Sequence, residues 1–263
     1  MKIGCCFGFG GRERIKLGRD CGFEFAELSL ASLENASESE IREFADYLRE
    51  IGMPCPAANT FFPKTMTLLG EDADNALTDE YIHRTFEKSA SLGLKHIVFG
   101  SGGARRVPDG FPMEKAYEQL VVLCTDHIAP AMEKYGLVCG IEELFKPACN
   151  IINTCREAMA LVRDVNHPRI KLQVDNFHMG KENEPVETLA DYRGYIAHVH
   201  ISNPLLDGEF PKPDDGYDYA PYFDALRKAG YPEDGLVSIE GHPNKEDGFE
   251  VSARRAVKLL KAL

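Results

Sequence analysis

Four acidic or imidazole side chains stand at the ends of four successive apolar segments in the second half of the chain. They are Glu142, Asp175, His200 and Glu240. Three carboxylates that meet without a cation repel one another and raise one another's pKa, so such a cluster predicts a bound divalent metal ion. A donor set of three oxygens and one imidazole nitrogen favours Mn²⁺ or Mg²⁺, and it also accommodates Co²⁺, Fe²⁺ or Zn²⁺.

The segments that must position these residues alternate along the whole chain between strand-like and helix-like patterns. Apolar or β-branched runs typical of strands recur eight times, at 2–7, 22–28, 54–59, 95–99, 137–142, 170–175, 195–201 and 235–240. Helical spacing lies at 37–51, 78–92, 113–134, 152–164, 186–193, 217–229 and 250–262, and the first connection gives the weakest helical pattern. Ser37 and Glu40 form a predicted capping box, Thr78 precedes two acids at an expected helix start, and glycines close other helices.

Strict alternation of this kind requires parallel strands that are joined by right-handed crossovers. Eight units favour a closed (β/α)8 barrel, or TIM barrel, over an open sheet, and no glycine-rich dinucleotide or phosphate turn follows the first strand. The length of 263 residues fits one such barrel. We therefore predict an α/β protein with a single TIM barrel domain that spans 1–263.

Alternation within the last four strands predicts where the four chemical side chains point. Side chains of a barrel strand face the interior and the helix layer in turn, and the inward ones at the carboxyl end face the active-site mouth. In each of these strands apolar residues take the outward parity, and the four residues named above take the inward parity. The coincidence across four successive strands indicates one shared site.

Composition narrows the classes of partner and compartment. A formal net charge of −12 argues against a dedicated nucleic-acid binder, and no apolar window is long enough to span a membrane. The N-terminal stretch lacks the features of an export signal. The eight cysteines lie mostly in apolar strand or helix patterns and form no CxxC pair, so reduced thiols in a cytoplasmic protein account for them. The expected partner is a small molecule, and a homo-oligomer is compatible with the sequence.

Three further polar residues near strand ends are predicted to contact a substrate. Glu27 ends the second strand, Asn59 ends the third, and Arg105 lies in the glycine-rich turn after the fourth, where amides and arginines could receive an anion. The alternatives are a rim acid for Glu27 and a solvated arginine beside a tight turn for Arg105. His198, one inward position deeper than His200, is expected to support the site from behind.

The longest stretch of diagnostic sequence resembles the xylose isomerase-like TIM barrels. It is the run GIEELFKPACNIINTCREAMALVRDVNHPRIKLQVDNFHMG at 140–180, and AHVHISN at 197–203 and VSIEGH at 237–242 resemble the family's histidine and terminal glutamate strands. This superfamily of sugar isomerases and epimerases includes ketose 3-epimerases, hydroxypyruvate isomerase, inosose dehydratase and the endonuclease IV branch. The resemblance covers nearly the whole chain and implies metal ligands at the same four positions.

By this resemblance, Glu142 and Glu240 are metal-bound carboxylates that act as base and acid, and His178 contacts the substrate. The implied activity is divalent-metal-dependent isomerisation or epimerisation of a sugar or polyol, by proton transfer beside a metal-polarised carbonyl. A lyase of the same fold, either an inosose-type dehydratase or an enzyme that cleaves 3-oxo C-glycosides, is the alternative, and a non-catalytic sugar-binding barrel is a third. Ala148 and Leu206 stand where ketose 3-epimerases carry a substrate-binding Glu and Arg, which argues against a true ketose 3-epimerase.

Overall fold

Eight parallel strands close into one barrel in the computed structural model, which describes all residues, 1–263. The strands are β1 (Lys2–Phe7), β2 (Phe25–Ser29), β3 (Ala57–Asn59), β4 (His96–Phe99), β5 (Val138–Glu142), β6 (Ile170–Asp175), β7 (Ile196–Ile201) and β8 (Leu236–Ile239). Each strand pairs with its neighbours in chain order, and β1 pairs with β8 to complete the cylinder. The predicted α/β class and TIM barrel fold are confirmed.

Helices fill the connections between the strands. They are α1 (Arg12–Asp20), α2 (Glu38–Glu50), α3 (Asn75–Ser89), α4 (Met113–Val122), α5 (Ala129–Tyr135), α6 (Cys155–Val165), α7 (Asn176–Lys181), α8 (Ala220–Lys228) and α9 (Phe249–Leu260). A π-helical segment, Leu123–Ile128, joins α4 to α5, so together they correspond to the one long helix expected at 113–134. The segment expected as a helix at 186–193 is a 3-10 helix, Val186–Tyr192, and α7 is a helix that the sequence pattern did not predict.

The predicted helix starts hold in one case and fail in another. Ser37 and Glu40 form the expected capping box before α2. The start predicted at Thr78 is wrong, because α3 already begins at Asn75 and the side chain of Asp74 caps it by accepting from the backbone N–H of Leu77. Because the cap of α3 lies one turn earlier than expected, Thr78 is buried within the helix, and its hydroxyl donates to the backbone carbonyl of Asp74.

Apolar side chains on the outward parity of the strands form the core between the barrel and the helices. Ile141, Val174, Val199 and Ile239 have no exposed surface and belong to one continuous apolar cluster. All eight cysteines are free, and all but Cys6 are buried. None of the helices combines the length and the apolar character that crossing a bilayer requires. On the inward parity, Glu142, Asp175, His200 and Glu240 stand at the carboxyl ends of β5 to β8.

Candidate metal centre

The four residues selected by strand alternation converge at the mouth of the barrel. Glu142 and Asp175 are the last residues of β5 and β6, His200 is the penultimate residue of β7, and Glu240 directly follows β8. One ligand atom from each lies within 4.8 Å of the others. The Nδ1 atom of His200 is 2.9 Å from an oxygen of Glu142, 2.9 Å from one of Glu240 and 3.9 Å from one of Asp175.

The parallel register of the strands explains this convergence. Asp175 on β6 is the direct neighbour of His200 on β7, and Glu142 on β5 is the neighbour of Gln173 on β6. Strand ends of a closed parallel barrel meet on one rim, so inward residues at the ends of adjacent strands become neighbours in space. Burial completes the arrangement, because Glu142, Asp175 and His200 are buried and only Glu240 keeps about a third of its side chain exposed.

The electrostatics of the cluster call for a positive charge at its centre. Burial raises the pKa of Asp175 to about 7 and raises that of Glu142, because a charged carboxylate loses its hydration there. Burial acts in the same direction on Glu240, but the facing His200 outweighs it and lowers the pKa of Glu240. Burial alone would lower the pKa of His200, whereas Glu27 and Glu240 raise it well above its usual range. A proton on His200 therefore balances part of the negative charge of the carboxylates, and a divalent cation would balance that charge as well.

Glu27 lies below this cluster, inside the barrel, and not at the rim where the sequence suggested a substrate contact. Its side chain has no exposed surface. Its two oxygens accept from Nε2 of His200 (2.9 Å), from Nε2 of His198 (2.7 Å) and from the hydroxyl of Ser238 (2.5 Å). This position does not favour the predicted contact of Glu27 with a substrate, since β2 continues to Ser29 and Glu27 lies two residues inside its end. It holds the ring of His200 with Nδ1 directed at the other three carboxylates.

Arg105 also differs from its prediction, because it is neither solvated nor open to an anion. The side chain has no exposed surface, and its guanidinium donates to the backbone carbonyls of Phe99 and Glu142 at 2.9 Å each. The guanidinium is committed to main-chain carbonyls, and Arg105 does not line the cleft above the cluster. This geometry does not favour the predicted contact of Arg105 with a substrate.

The other two predicted substrate contacts lie beside the cluster. Asn59, at the end of β3, donates through Nδ2 to an oxygen of Glu240 at 2.7 Å, so it supports that carboxylate directly. His178, in α7, lines the cleft above the cluster, and its Nε2 is 3.9 Å from an oxygen of Asp175. The imidazole of His178 stacks on the ring of Phe145 with centroids 5.4 Å apart, which fixes the plane it presents to the cleft.

A cleft of about 680 Å³ opens above the four side chains. Three of the four converging residues line it, together with residues from the loops after β3, β4, β5, β6, β7 and β8. The lining includes Thr60, Ser101, Leu144, Phe177, Ser202 and Asp207. Its size lies within the range of small-molecule sites, and its polar groups converge on the cluster.

Two further residues support the site, and sequence reasoning missed the first of them, Glu143, whereas Asn176 was expected to support its loop. Glu143 is buried and accepts the backbone N–H of Asp175 at 2.8 Å. The side chain of Asn176 accepts from the backbone of Ser202 and donates to its carbonyl, at 2.8 and 2.9 Å, which ties the end of β6 to the end of β7. Glu143 carries the outward parity of β5, so alternation gives no signal for it, whereas Asn176 directly follows a selected residue.

A second group of possible ligand atoms lies deeper, in Cys6, Glu27 and His200. Both oxygens of Glu27 already accept hydrogen bonds there, and the second group would compete with the first for His200. In the upper cluster each of the three carboxylates keeps an oxygen that accepts no hydrogen bond from outside the cluster, so this cluster is the better candidate for a metal ion.

Comparison with known proteins agrees with this fold. The sequence matches the family described as "Xylose isomerase-like TIM barrel" over residues 15–263. It is 24% identical over 258 residues to the ketose 3-epimerase of Arthrobacter globiformis, covering 91% of this chain and 83% of that protein. It is 23% identical over 184 residues to the inosose isomerase of Bacillus subtilis (strain 168), covering 66% of this chain and 63% of that protein.

Solved structures share the whole fold. A D-psicose 3-epimerase determined in the presence of D-fructose superposes with a TM-score of 0.85 at 19% identity, covering 100% of this chain and 99% of the other. The apo 3-keto-D-glucoside 4-epimerase from E. coli gives a TM-score of 0.80 at 22% identity, with 100% of both chains covered. The chain belongs to the xylose isomerase-like TIM barrel family, and its matched relatives are named as sugar epimerases and isomerases.

Proposed function

We propose that this protein is a single-domain, divalent-metal-dependent enzyme that isomerises or epimerises an uncharged sugar or polyol. The observation that carries the proposal is the convergence of three carboxylates and one imidazole nitrogen within 4.8 Å at the floor of the cleft. Clusters of this kind at the carboxyl end of a TIM barrel are where enzymes of this fold place their chemistry.

The residues present fit a divalent ion. Glu142, Asp175, His200 and Glu240 would hold it through three oxygens and one nitrogen, a donor set that favours Mn²⁺ or Mg²⁺ and admits Co²⁺, Fe²⁺ or Zn²⁺. The hydrogen bond from Nε2 of His200 to Glu27 leaves Nδ1 as the coordinating nitrogen, the usual carboxylate–histidine support of metal sites. When bound, the ion supplies Lewis acidity that polarises a substrate carbonyl and makes the neighbouring C–H more acidic.

Glu142 and Glu240 are the proposed proton-transfer groups. Glu142 is buried and its pKa is raised, whereas the pKa of Glu240 is lowered and its side chain is partly open to the cleft. Two carboxylates whose surroundings separate their pKa values can exchange the roles of acid and base on one substrate. A proton removed from one carbon and returned to another gives isomerisation, and its return to the opposite face gives epimerisation.

The charge of the cleft favours an uncharged substrate. Three cluster carboxylates and Asp207 line the cleft, and no lysine or arginine lines it. A divalent ion balances two of these four charges and Lys181, which pairs with Asp207 at 3.7 Å, balances a third, so a phosphorylated or carboxylated sugar would still meet net negative charge. The matched relatives are named for ketoses, an inosose and a 3-keto-D-glucoside, compounds in which a carbonyl adjoins hydroxyl-bearing carbons. Ser202, Thr60 and His178 offer neutral groups that can hydrogen bond such hydroxyls.

A lyase is the second candidate, because the same proton abstraction becomes elimination when a β-hydroxyl or an aglycone can leave. Product analysis separates the two, since elimination changes the mass of the product and isomerisation does not.

The eight thiols without disulfides suit a reducing compartment, so we place the enzyme in the cytoplasm. A homo-oligomer is compatible with the proposal.

Metal dependence is tested first. Protein treated with EDTA should lose turnover, and Mn²⁺ should restore it, with one ion bound per chain by metal analysis. Glu142→Ala should weaken Mn²⁺ binding at least tenfold in a calorimetric titration, because loss of even a hydrogen-bonding support of a coordinating residue costs about 10- to 100-fold. Glu43→Gln, on the exposed face of α2, is the matched control. Full activity in metal-free protein would refute the proposal.

Proton transfer is tested by exchange in D2O. Ketoses, inososes, 3-oxo glycosides and a ketose phosphate are incubated with enzyme, and deuterium in recovered substrate and product is measured by mass spectrometry and NMR. We expect exchange with one uncharged compound and little with the phosphate. Glu240→Gln should keep most of the metal and lose exchange. Exchange that persists in the combined Glu142→Gln and Glu240→Gln variant would rule out these residues as the acid/base pair.

A further inference from the structure

The turn that follows β4 is built around a buried arginine. Arg105 has no exposed surface, and its two terminal nitrogens donate to the carbonyls of Phe99 and Glu142, the last carbonyls of the adjacent strands β4 and β5. The guanidinium also lies over the ring of Phe99, with its central carbon 5.3 Å from the ring centroid. One side chain thus clamps the ends of two strands directly beneath the carboxylate of Glu142.

The same turn leaves a space that the carboxylate of Glu142 fills. Gly100 is the residue after β4, and a Cβ atom placed on it would lie 2.1 Å from Oε2 of Glu142. Gly100 does not have a positive φ angle, so its backbone would accept a side chain. What forbids a side chain here is the position of Glu142, not the conformation of the turn.

Hydrogen bonds within the turn fix both features relative to each other. The carbonyl of Ser101 accepts from the backbone N–H groups of Ala104 and Arg105 at 3.0 Å each. The hydroxyl of Ser101 accepts from the backbone N–H of Phe62 at 2.9 Å, which anchors the turn to the loop after β3. The arginine and the glycine are therefore held in one rigid unit.

Packing alone does not explain a buried arginine at position 105. No carboxylate pairs with its guanidinium, and its Nε has no hydrogen-bond partner although it is buried. A buried charge without an ion pair costs free energy that an apolar side chain of similar size would avoid. We expect a buried, unpaired guanidinium of this kind where its hydrogen bonds position a functional residue.

We propose that residues 100–105 form a seat for Glu142, in which Arg105 fixes the backbone of this glutamate and Gly100 makes room for its carboxylate. The seat makes Arg105 a positioning residue for the metal-binding and proton-transfer carboxylate, and the inference rests on the proposed function of Glu142. It also accounts for the glycine-rich turn, which binds no anion through Arg105.

The first test places a side chain in the space that the carboxylate of Glu142 occupies. Gly100→Ala should fold, because the atom in its way is the far end of a flexible side chain that can swing aside. The displaced carboxylate should weaken Mn²⁺ binding about 10-fold and slow deuterium exchange about 100-fold, the effect expected from a misplacement of about 1 Å. Gly8→Ala is the matched control, because a Cβ there meets nothing within 4 Å. Wild-type metal affinity and exchange in Gly100→Ala would overturn the seat.

The second test is a double-mutant cycle on metal affinity. Arg105→Lys keeps the charge and loses the two-pronged clamp, and we expect Mn²⁺ to bind about 10- to 100-fold more weakly. In a Glu142→Ala background the same change should alter metal affinity less than about 3-fold, because the group that Arg105 positions is gone. Arg106→Lys, an exposed neighbour that donates to the carbonyl of Pro147, is the control and should behave as wild type.

The outcomes separate the seat from the proposed function. Equal losses from Arg105→Lys in both backgrounds, in step with a lowered Tm, would show a general structural role and overturn the inference while the metal centre stands. If Glu142→Ala itself leaves Mn²⁺ affinity unchanged, the proposed metal centre fails, and the seat fails with it.

Discussion

Replacing Glu27 by glutamine should weaken the binding of Mn²⁺ without any change to a metal-coordinating residue. The carboxylate of Glu27 accepts three hydrogen bonds, from His200, His198 and Ser238. A glutamine offers one acceptor oxygen and an amide that donates, so one of the two imidazole rings must face a donor. An amide oxygen that faces His200 accepts its Nε2–H more weakly than a charged carboxylate does, and an amide nitrogen that faces His200 is accepted only if the proton moves from Nε2 to Nδ1. Either orientation makes Nδ1 a weaker metal-binding nitrogen.

The magnitude follows from the contacts that change. Loss of a hydrogen-bonding support behind a metal-binding histidine costs about 10- to 100-fold in metal affinity, or about 1.4 to 2.8 kcal/mol. In the metal-free protein, removal of one partner from a buried charged pair costs about 3 to 5 kcal/mol of stability, against about 5 to 15 kcal/mol for a whole protein. Glu27 lies at 0% exposure, so solvent screening does not reduce either figure. The variant should therefore fold, with a lowered Tm.

Calorimetric titration of EDTA-stripped protein with Mn²⁺, well below the Tm of each variant, measures the effect. Imidazole ¹⁵N chemical shifts of His200 in the metal-free protein would report the changed hydrogen bond at Nε2 in Glu27→Gln. Ser238→Ala is the matched control, because the Ser238 hydroxyl bonds the same carboxylate and His198 but makes no hydrogen bond to His200, and the change should alter metal affinity less than about 3-fold. A folded Glu27→Gln protein that binds Mn²⁺ as tightly as wild type would refute the reasoning.

Three further results are expected. The pKa values of Asp175 (about 7) and His200 are raised, so the metal-free fold favours the protonated forms of both groups and its stability should fall as pH rises through about 7. Mn²⁺ competes with these protons, so the increase in Tm on adding Mn²⁺ should grow from about pH 6 to about pH 8. An increase in Tm that is the same at every pH would contradict this. Asn176→Ala removes both bonds to Ser202 and should cost about 1 to 3 kcal/mol in urea unfolding and weaken Mn²⁺ binding, whereas unaltered stability would exclude that support. Phe61→Ala, in a buried aromatic cluster, should cost about 3 to 5 kcal/mol with unchanged metal affinity, and a parallel loss of affinity would show that core packing controls the site.

The fold could be predicted because its pattern repeats. Every predicted strand overlaps an observed one, and a barrel follows from eight alternations. The pattern failed where an element is too short to show a period. The helix α7 has six residues and takes Asp175, the last residue of a strand, as its N-cap, so strand and helix share the boundary from which a period would be read. The expected membership of a sugar isomerase/epimerase family is also confirmed.

The site could be predicted only as far as alternation reaches. Parity gives the direction of a side chain in a strand, and it brought Glu142 and Asp175 to one rim together with the histidine and the last glutamate. Parity does not give depth, so Glu27 was expected at the rim although its strand extends two residues further. Arg105 lies in a turn without any period, and nothing in the sequence tells whether its long side chain folds back under the strands or extends into solvent.

Each of the four converging residues is held by a different side chain that does not belong to the cluster. The supports, in the order Glu142, Asp175, His200 and Glu240, are Arg105 on the carbonyl, Glu143 on the backbone N–H, Glu27 on Nε2 and Asn59 on Oε1. All four supports are buried. A chance gathering of acids on a surface would have flexible side chains and would lose rotamer entropy on closing around an ion, whereas here buried hydrogen-bond partners restrict each of the four residues. The affinity and the chemistry of the centre should therefore depend on residues that never touch the ion, which is why variants at Glu27 and Arg105 test it as sharply as variants of the four residues themselves.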